Sequence, residues 1–77
     1  MTQVKLEKSI AEDLITSKLR ILQQYIDGIL NRWNESSAKI FLEKARTGIY
    51  KNAEEDAVEL RQLLVDYKKF QDLLNNL

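Results

Sequence analysis

Apolar residues recur at alternating steps of four and three along Ile15, Leu19, Leu22, Ile26, Ile29 and Trp33. This seven-residue repeat keeps them on one side of an α-helix. The phase is lost across Asn34, Glu35, Ser36 and Ser37. It resumes in a new setting with Ala38, Leu42, Ala45, Ile49, Ala53, Leu60, Leu63, Tyr67, Phe70, Leu74 and Leu77. Residues 34–37 also offer side-chain oxygens that can accept the free N–H groups at the start of a helix. The spacing therefore predicts an all-α antiparallel helical hairpin, with helices over about 9–33 and 37–76 and a tight turn at Trp33–Ser36.

Met1 to Lys8 is too brief an alternation for a strand and reads as a lead-in, with Ser9 as N-cap because Glu12 lies three residues on. Ile10, Leu14, Ile21 and Tyr25 widen the first stripe on one side and Leu30 on the other, a breadth suited to two neighbours. Lys18 and Arg32 fall at its edge or within it, where their stems cover apolar surface while the charges reach water. The second stripe holds an alternative. Gly48, in Thr47-Gly48-Ile49-Tyr50, is a candidate left-handed cap, which would give a three-helix bundle with a break near 48–52. The stripe passes through Gly48 without slipping, although Asp56 interrupts it, and this favours the continuous arm.

Residues 1–77 make a single helical domain. A chain this short buries only about 60–65% of the surface it exposes when unfolded. It has no cysteine and no histidine, so disulfides and His/Cys metal sites are excluded. Good helix packing or a partner remains. The net charge is zero, but it is segregated: residues 1–51 carry nine basic and six acidic side chains, and residues 52–77 three basic and six acidic. Opposed halves of this kind fit an antiparallel pair, and a four-helix-bundle dimer is expected. The second arm should overhang the first. Tyr67, Phe70 and Leu74 on its stripe, with Val58 and Val65 on its opposite side, are the candidate partner-binding residues. Ile40 also lies on that opposite side. The partner is a second copy or another helical protein.

Catalysis is not expected. A Ser-His or Cys-His nucleophile pair is impossible without His and Cys, the two glycines are too far apart for a phosphate loop, and Glu54, Glu55, Asp56 and Glu59 lack an enclosing pocket on a hairpin. No catalytic, metal or cofactor-binding residue is assigned, and no cofactor is expected. Nucleic acid is disfavoured: Lys39, Lys44, Arg46 and Lys51 make a small basic patch, which Glu43 dilutes. No membrane span and no cleavable signal peptide are read, so the location is open between the cytoplasm and export without such a peptide.

The segment Trp33-Asn34-Glu35-Ser36-Ser37-Ala38-Lys39-Ile40-Phe41 resembles the turn of the Trp-x-Gly family, the small helical hairpins of type VII secretion systems. There a tryptophan closes the first helix, small residues follow, and a phenylalanine stands eight beyond the tryptophan. Trp33 and Phe41 keep that separation, and Ser36, Ser37 and Ala38 keep the small character. The opening Met1-Thr2-Gln3-Val4-Lys5-Leu6, with Ala11-Glu12-Asp13-Leu14, is similar to the family's start. Trp33, Glu35 and Phe41 are thus the candidate turn motif. The resemblance implies a non-enzymatic secretion-associated partner or substrate that pairs with another hairpin. The sequence departs from the pattern at Glu35, where glycine is expected, and in its shorter first arm. The family's Tyr-x-x-x-Asp/Glu signal is matched only by Tyr50…Glu54 in mid-arm, since Tyr67 is followed by Gln71. The alternative is a small helical subunit or adaptor of an intracellular complex, nucleic-acid associated or antitoxin-like. Gly48-Ile49-Tyr50-Lys51-Asn52-Ala53-Glu54-Glu55 is similar to a turn of ribbon-helix-helix antitoxins. Those proteins need a strand before their first helix, and Ser36 to Phe41 is a poor one.

Overall fold

A computed structural model describes residues 2–77, with side chains described from Glu7 onward. Three helices follow one another: α1 (Thr2–Arg32), α2 (Ala38–Arg46) and α3 (Glu54–Asn75). Among the described residues there is no strand, so the ribbon expected of an antitoxin-like arrangement is not formed before α2. α1 and α3 lie side by side as the long arms, and α2 crosses one end. The body measures 56 × 17 × 17 Å.

Helix α1 starts at Thr2, not near Ser9 as the capping pattern predicts. The lead-in contains Gln, Lys, Leu and Glu, all good helix formers, and no breaker. Extending an existing helix by one residue adds a hydrogen bond at little cost, whereas starting a new one is expensive. Ser9 is accordingly an interior residue.

The end of α1 is fixed by backbone geometry. Asn34 takes a left-handed φ of 55°. The N–H of Asn34 donates to the Asn31 carbonyl at 3.2 Å, and the N–H of Glu35 to the Leu30 carbonyl at 2.9 Å. These two bonds are the Schellman pattern, which satisfies carbonyls left open at a helix C-terminus. Ser37 then caps α2 through its Oγ, which accepts from the Ile40 N–H at 3.3 Å.

The continuous second helix over 37–76 is not what forms. α2 stops at Arg46, and Gly48 has φ 82°, outside the right-handed helical region. The Gly48 N–H reaches the Ala45 carbonyl at 3.4 Å and the Ile49 N–H the Lys44 carbonyl at 3.0 Å, a second Schellman ending. Asn52, at φ 61°, turns the chain again before α3. The break that the alternative placed near 48–52 is therefore present. The apolar phase misled because the Thr47–Ala53 loop occupies about two helical turns' worth of sequence and so leaves the numbering in register. Ile49, counted on the stripe, is 67% exposed.

We expect Gly48→Ala to destabilise the chain by about 1–2 kcal/mol, the cost of placing a Cβ-bearing residue in the left-handed region. A thermal melt reads this directly, and a higher midpoint for the alanine variant would mean an unbroken helix.

The core sits at the bend. Ile26, Ile29, Leu30, Phe41, Ala53, Ala57 and Leu60 form one buried cluster, with Phe41 and Leu60 fully enclosed. The small side chains of Ala53 and Ala57 leave room there for the Phe41 ring. Toward the other end, Ile15, Leu19, Phe70 and Leu74 are only half-buried. Two contacts fix the register of the long arms: Arg32 pairs with Asp56, and Lys18 stands over the Phe70 ring. At that equal spacing α3 runs out level with Asp13. The overhang therefore belongs to the N-terminal turns of α1 and not, as expected from the hairpin, to the second arm.

Candidate interaction surfaces

Three aromatic rings meet at the bend. The centroid of Trp33 lies 5.7 Å from that of Phe41 and 5.0 Å from that of Tyr50, and Phe41 and Tyr50 are 5.8 Å apart. Such separations give a few tenths to about 1.5 kcal/mol per pair beyond area burial. Trp33 and Phe41 of the candidate turn motif pack together, and Leu30 joins them, with Leu30 buried and Trp33 half-buried against the same cluster.

Two carboxylates tie the bend together. Asp56 accepts the Trp33 indole N–H at 2.8 Å through Oδ2. It also accepts from Arg32 Nη1, at 2.8 Å through Oδ1 and 2.9 Å through Oδ2. A single acid thus satisfies a half-buried indole and links the end of α1 to the first turn of α3. In the sequence Asp56 reads as an interruption of the apolar stripe and as one of four clustered carboxylates. The signal that could have found it is the lone tryptophan, whose N–H seeks an acceptor when the ring is covered. Asp56, with Glu54 and Glu55, also places negative charge where the α3 dipole favours it, although Ala53 gives no side-chain cap.

Glu35, marked as the residue standing where a glycine is expected, has its own role. The left-handed position is taken by Asn34, so the turn has no need of glycine at 35. The Glu35 carboxylate accepts from Lys44 Nζ at 2.8 Å and from the Tyr50 hydroxyl. These bonds hold its pKa below the ordinary 4.5, Lys44 being the largest cause and Tyr50 the next. In return Glu35 raises the pKa of Lys44 above 10.5 and that of Tyr50 above 10.0. The signs set a pH window. Stability from the depressed Glu35 is complete above 4.5 and is lost as pH falls through its lower folded-state value. Stability from Tyr50 and Lys44 is complete below their ordinary values and is lost as pH rises through the raised ones. We expect Glu35→Gln to melt below wild type at neutral pH, with the gap closing under acid. A gap unchanged at low pH would contradict the arrangement.

The five candidate partner-binding residues are not brought together. Val58 and Val65 are each 62% exposed on the outer side of α3. Tyr67 packs against the core cluster, and Phe70 and Leu74 are half-buried on the same side. Ile40 is also exposed. The basic patch is partly occupied: Lys44 pairs with Glu35 and Arg46 with Glu43, so Lys39 and Lys51 alone hold no ion pair within it. Among the described residues no group of three or more His, Cys, Asp or Glu side chains is placed to hold a metal ion, and no helix is long and apolar enough to cross a membrane.

No protein-family model, curated protein or solved structure matches the chain.

Proposed function

We propose that the chain is a non-enzymatic helical protein-interaction module, a secretion-associated partner or substrate of the Trp-x-Gly type. The observation that carries the first half is the uneven core. The bend is closed by Phe41 and Leu60, while Ile10, Leu14, Ile21, Tyr25, Val58, Val65 and Leu73 remain exposed along the arms. Single exposed apolar side chains are ordinary, but a run of them along a narrow body is the composition of a docking surface. The second half is supported by the bend, where Trp33 and Phe41 meet at the separation quoted above and the intervening residues form the turn and the α2 cap. The partner on this reading is a helical protein: a second copy or a different hairpin.

Co-expression with the small helical proteins encoded beside it, followed by co-purification, tests the reading. A stoichiometric complex, together with a secretion ATPase among the neighbouring genes, supports it. Absence of any complex, or a neighbourhood of polymerase, repair or toxin–antitoxin genes, would overturn the secretion assignment.

A further inference from the structure

The flank of α1 that is left open carries a second heptad series. Leu14, Ile21 and Tyr25 are 67%, 43% and 59% exposed. Lys18 fills the step between Leu14 and Ile21, and the series continues through Gly28 to Arg32 and back through Ala11 to Glu7, always at steps of four and three. A regular seam of this length is the pattern of a coiled coil rather than of scattered surface residues. The flank beyond it is uncharged at Ser17, Gln24 and Asn31, one heptad apart, and the charged series Asp13, Arg20 and Asp27 lies further round. Depletion of charge beside an apolar strip is the composition of an interface centre.

Resting on the interaction-module reading above, we propose that this seam pairs antiparallel with the same seam of a second copy, so that two molecules close a four-helix bundle through α1. The series is complementary to its own reverse. Turned about the midpoint between Lys18 and Ile21, it sets Glu7 against Arg32, Ala11 against Gly28, Leu14 against Tyr25 and, at the centre, the stem of Lys18 against Ile21. Opposite charges meet at the ends, small residues meet inside them, and large apolar residues meet nearer the centre. A parallel pairing would oppose Glu7 with Glu7 and Arg32 with Arg32.

Three features of the single molecule fit this arrangement. A Cβ at Gly28 would meet nothing within 4 Å, so the monomer gives no steric reason for a glycine in mid-helix, whereas close approach of a facing helix does. The Lys18 ammonium stands 6.0 Å from the Phe70 ring centroid, which draws its charge toward α3 and away from the centre of the seam. The Arg32 side chain is 61% exposed even while paired with Asp56, leaving further N–H donors accessible. The seam from Glu7 to Arg32 is about 38 Å long, and on a body 17 Å wide that gives about 640 Å² per partner, at the lower end of standard stable interfaces.

Sedimentation equilibrium of the full chain tests the pairing. Wild type should be dimeric at micromolar concentration, and Ile21→Lys should weaken the dimer about tenfold or more with an unchanged helical spectrum, since Ile21 is exposed. Register is read by disulfide formation in a chain with no cysteine of its own. A mixture of Ala11→Cys and Gly28→Cys should cross-link far better than either variant alone. A wild type that stays monomeric into the high micromolar range overturns self-pairing. A dimer that survives Ile21→Lys but is lost in Val65→Lys, or equal cross-linking by the single variants, overturns this face and register while leaving the interaction-module reading standing. That reading fails separately, when the chain neither self-associates nor co-purifies with another helical protein.

Discussion

Phe41→Ala should unfold a large part of the population at physiological temperature. Phe41 is fully buried where α1, α2 and α3 converge, with the rings of Trp33 and Tyr50 leaning on it. Truncating a buried phenylalanine costs about 3–5 kcal/mol, part lost transfer energy and part cavity. A domain of this size holds only about 4–12 kcal/mol in all. With one kcal/mol worth about 4–8 °C in a small domain, the midpoint should fall by more than about 12 °C. Thermal unfolding followed at 222 nm measures it. A fall of only a few degrees would mean that the bend is not the centre of the fold.

Trp33→Ala should be the next largest effect, about 3 kcal/mol, toward the low end of the range for aromatic truncation because the ring is only half-buried. Two losses combine in it. Trp33 contributes ring contacts to Phe41 and Tyr50, and its N–H occupies Asp56. Trp33→Phe largely separates them, keeping most of the ring area while removing the donor, so it should cost about 1–2 kcal/mol. Combining it with Asp56→Ala, which removes the acceptor, in a double-mutant cycle should then give less than the sum of the single effects. Full additivity would show that the indole–carboxylate bond contributes nothing. Fluorescence gives an independent check, because the emission should shift to the red as Trp33 becomes exposed on unfolding.

The absence of proline, the heptad along Ile15 to Trp33 and the cap-rich break at 34–37 dictated helices with one closed bend. These features are local: a helix face is set by the 3.6-residue repeat, and a cap by oxygens within a few residues of the N–H groups they accept. That Trp33 and Phe41 flank one turn was legible for the same reason. The break at Gly48 was legible only as an option. A seven-residue loop leaves the apolar register intact, and whether a glycine takes φ 82° depends on tertiary packing that pulls Phe41 and Ala57 into one cluster. The ties of Asp56 to Trp33 and of Glu35 to Tyr50 span 23 and 15 residues, distances over which one-dimensional spacing carries no information. The longer arm was likewise assigned to the wrong helix, because length in sequence becomes overhang in space only once the pairing of Arg32 with Asp56 sets where the two arms begin to run together. Sequence alone determined the helical class, the turn at 34–37 and which faces are apolar. The tertiary structure decided which of those faces close on each other at the bend and which are left open along α1, since burial is a property of the pairing and not of either helix by itself.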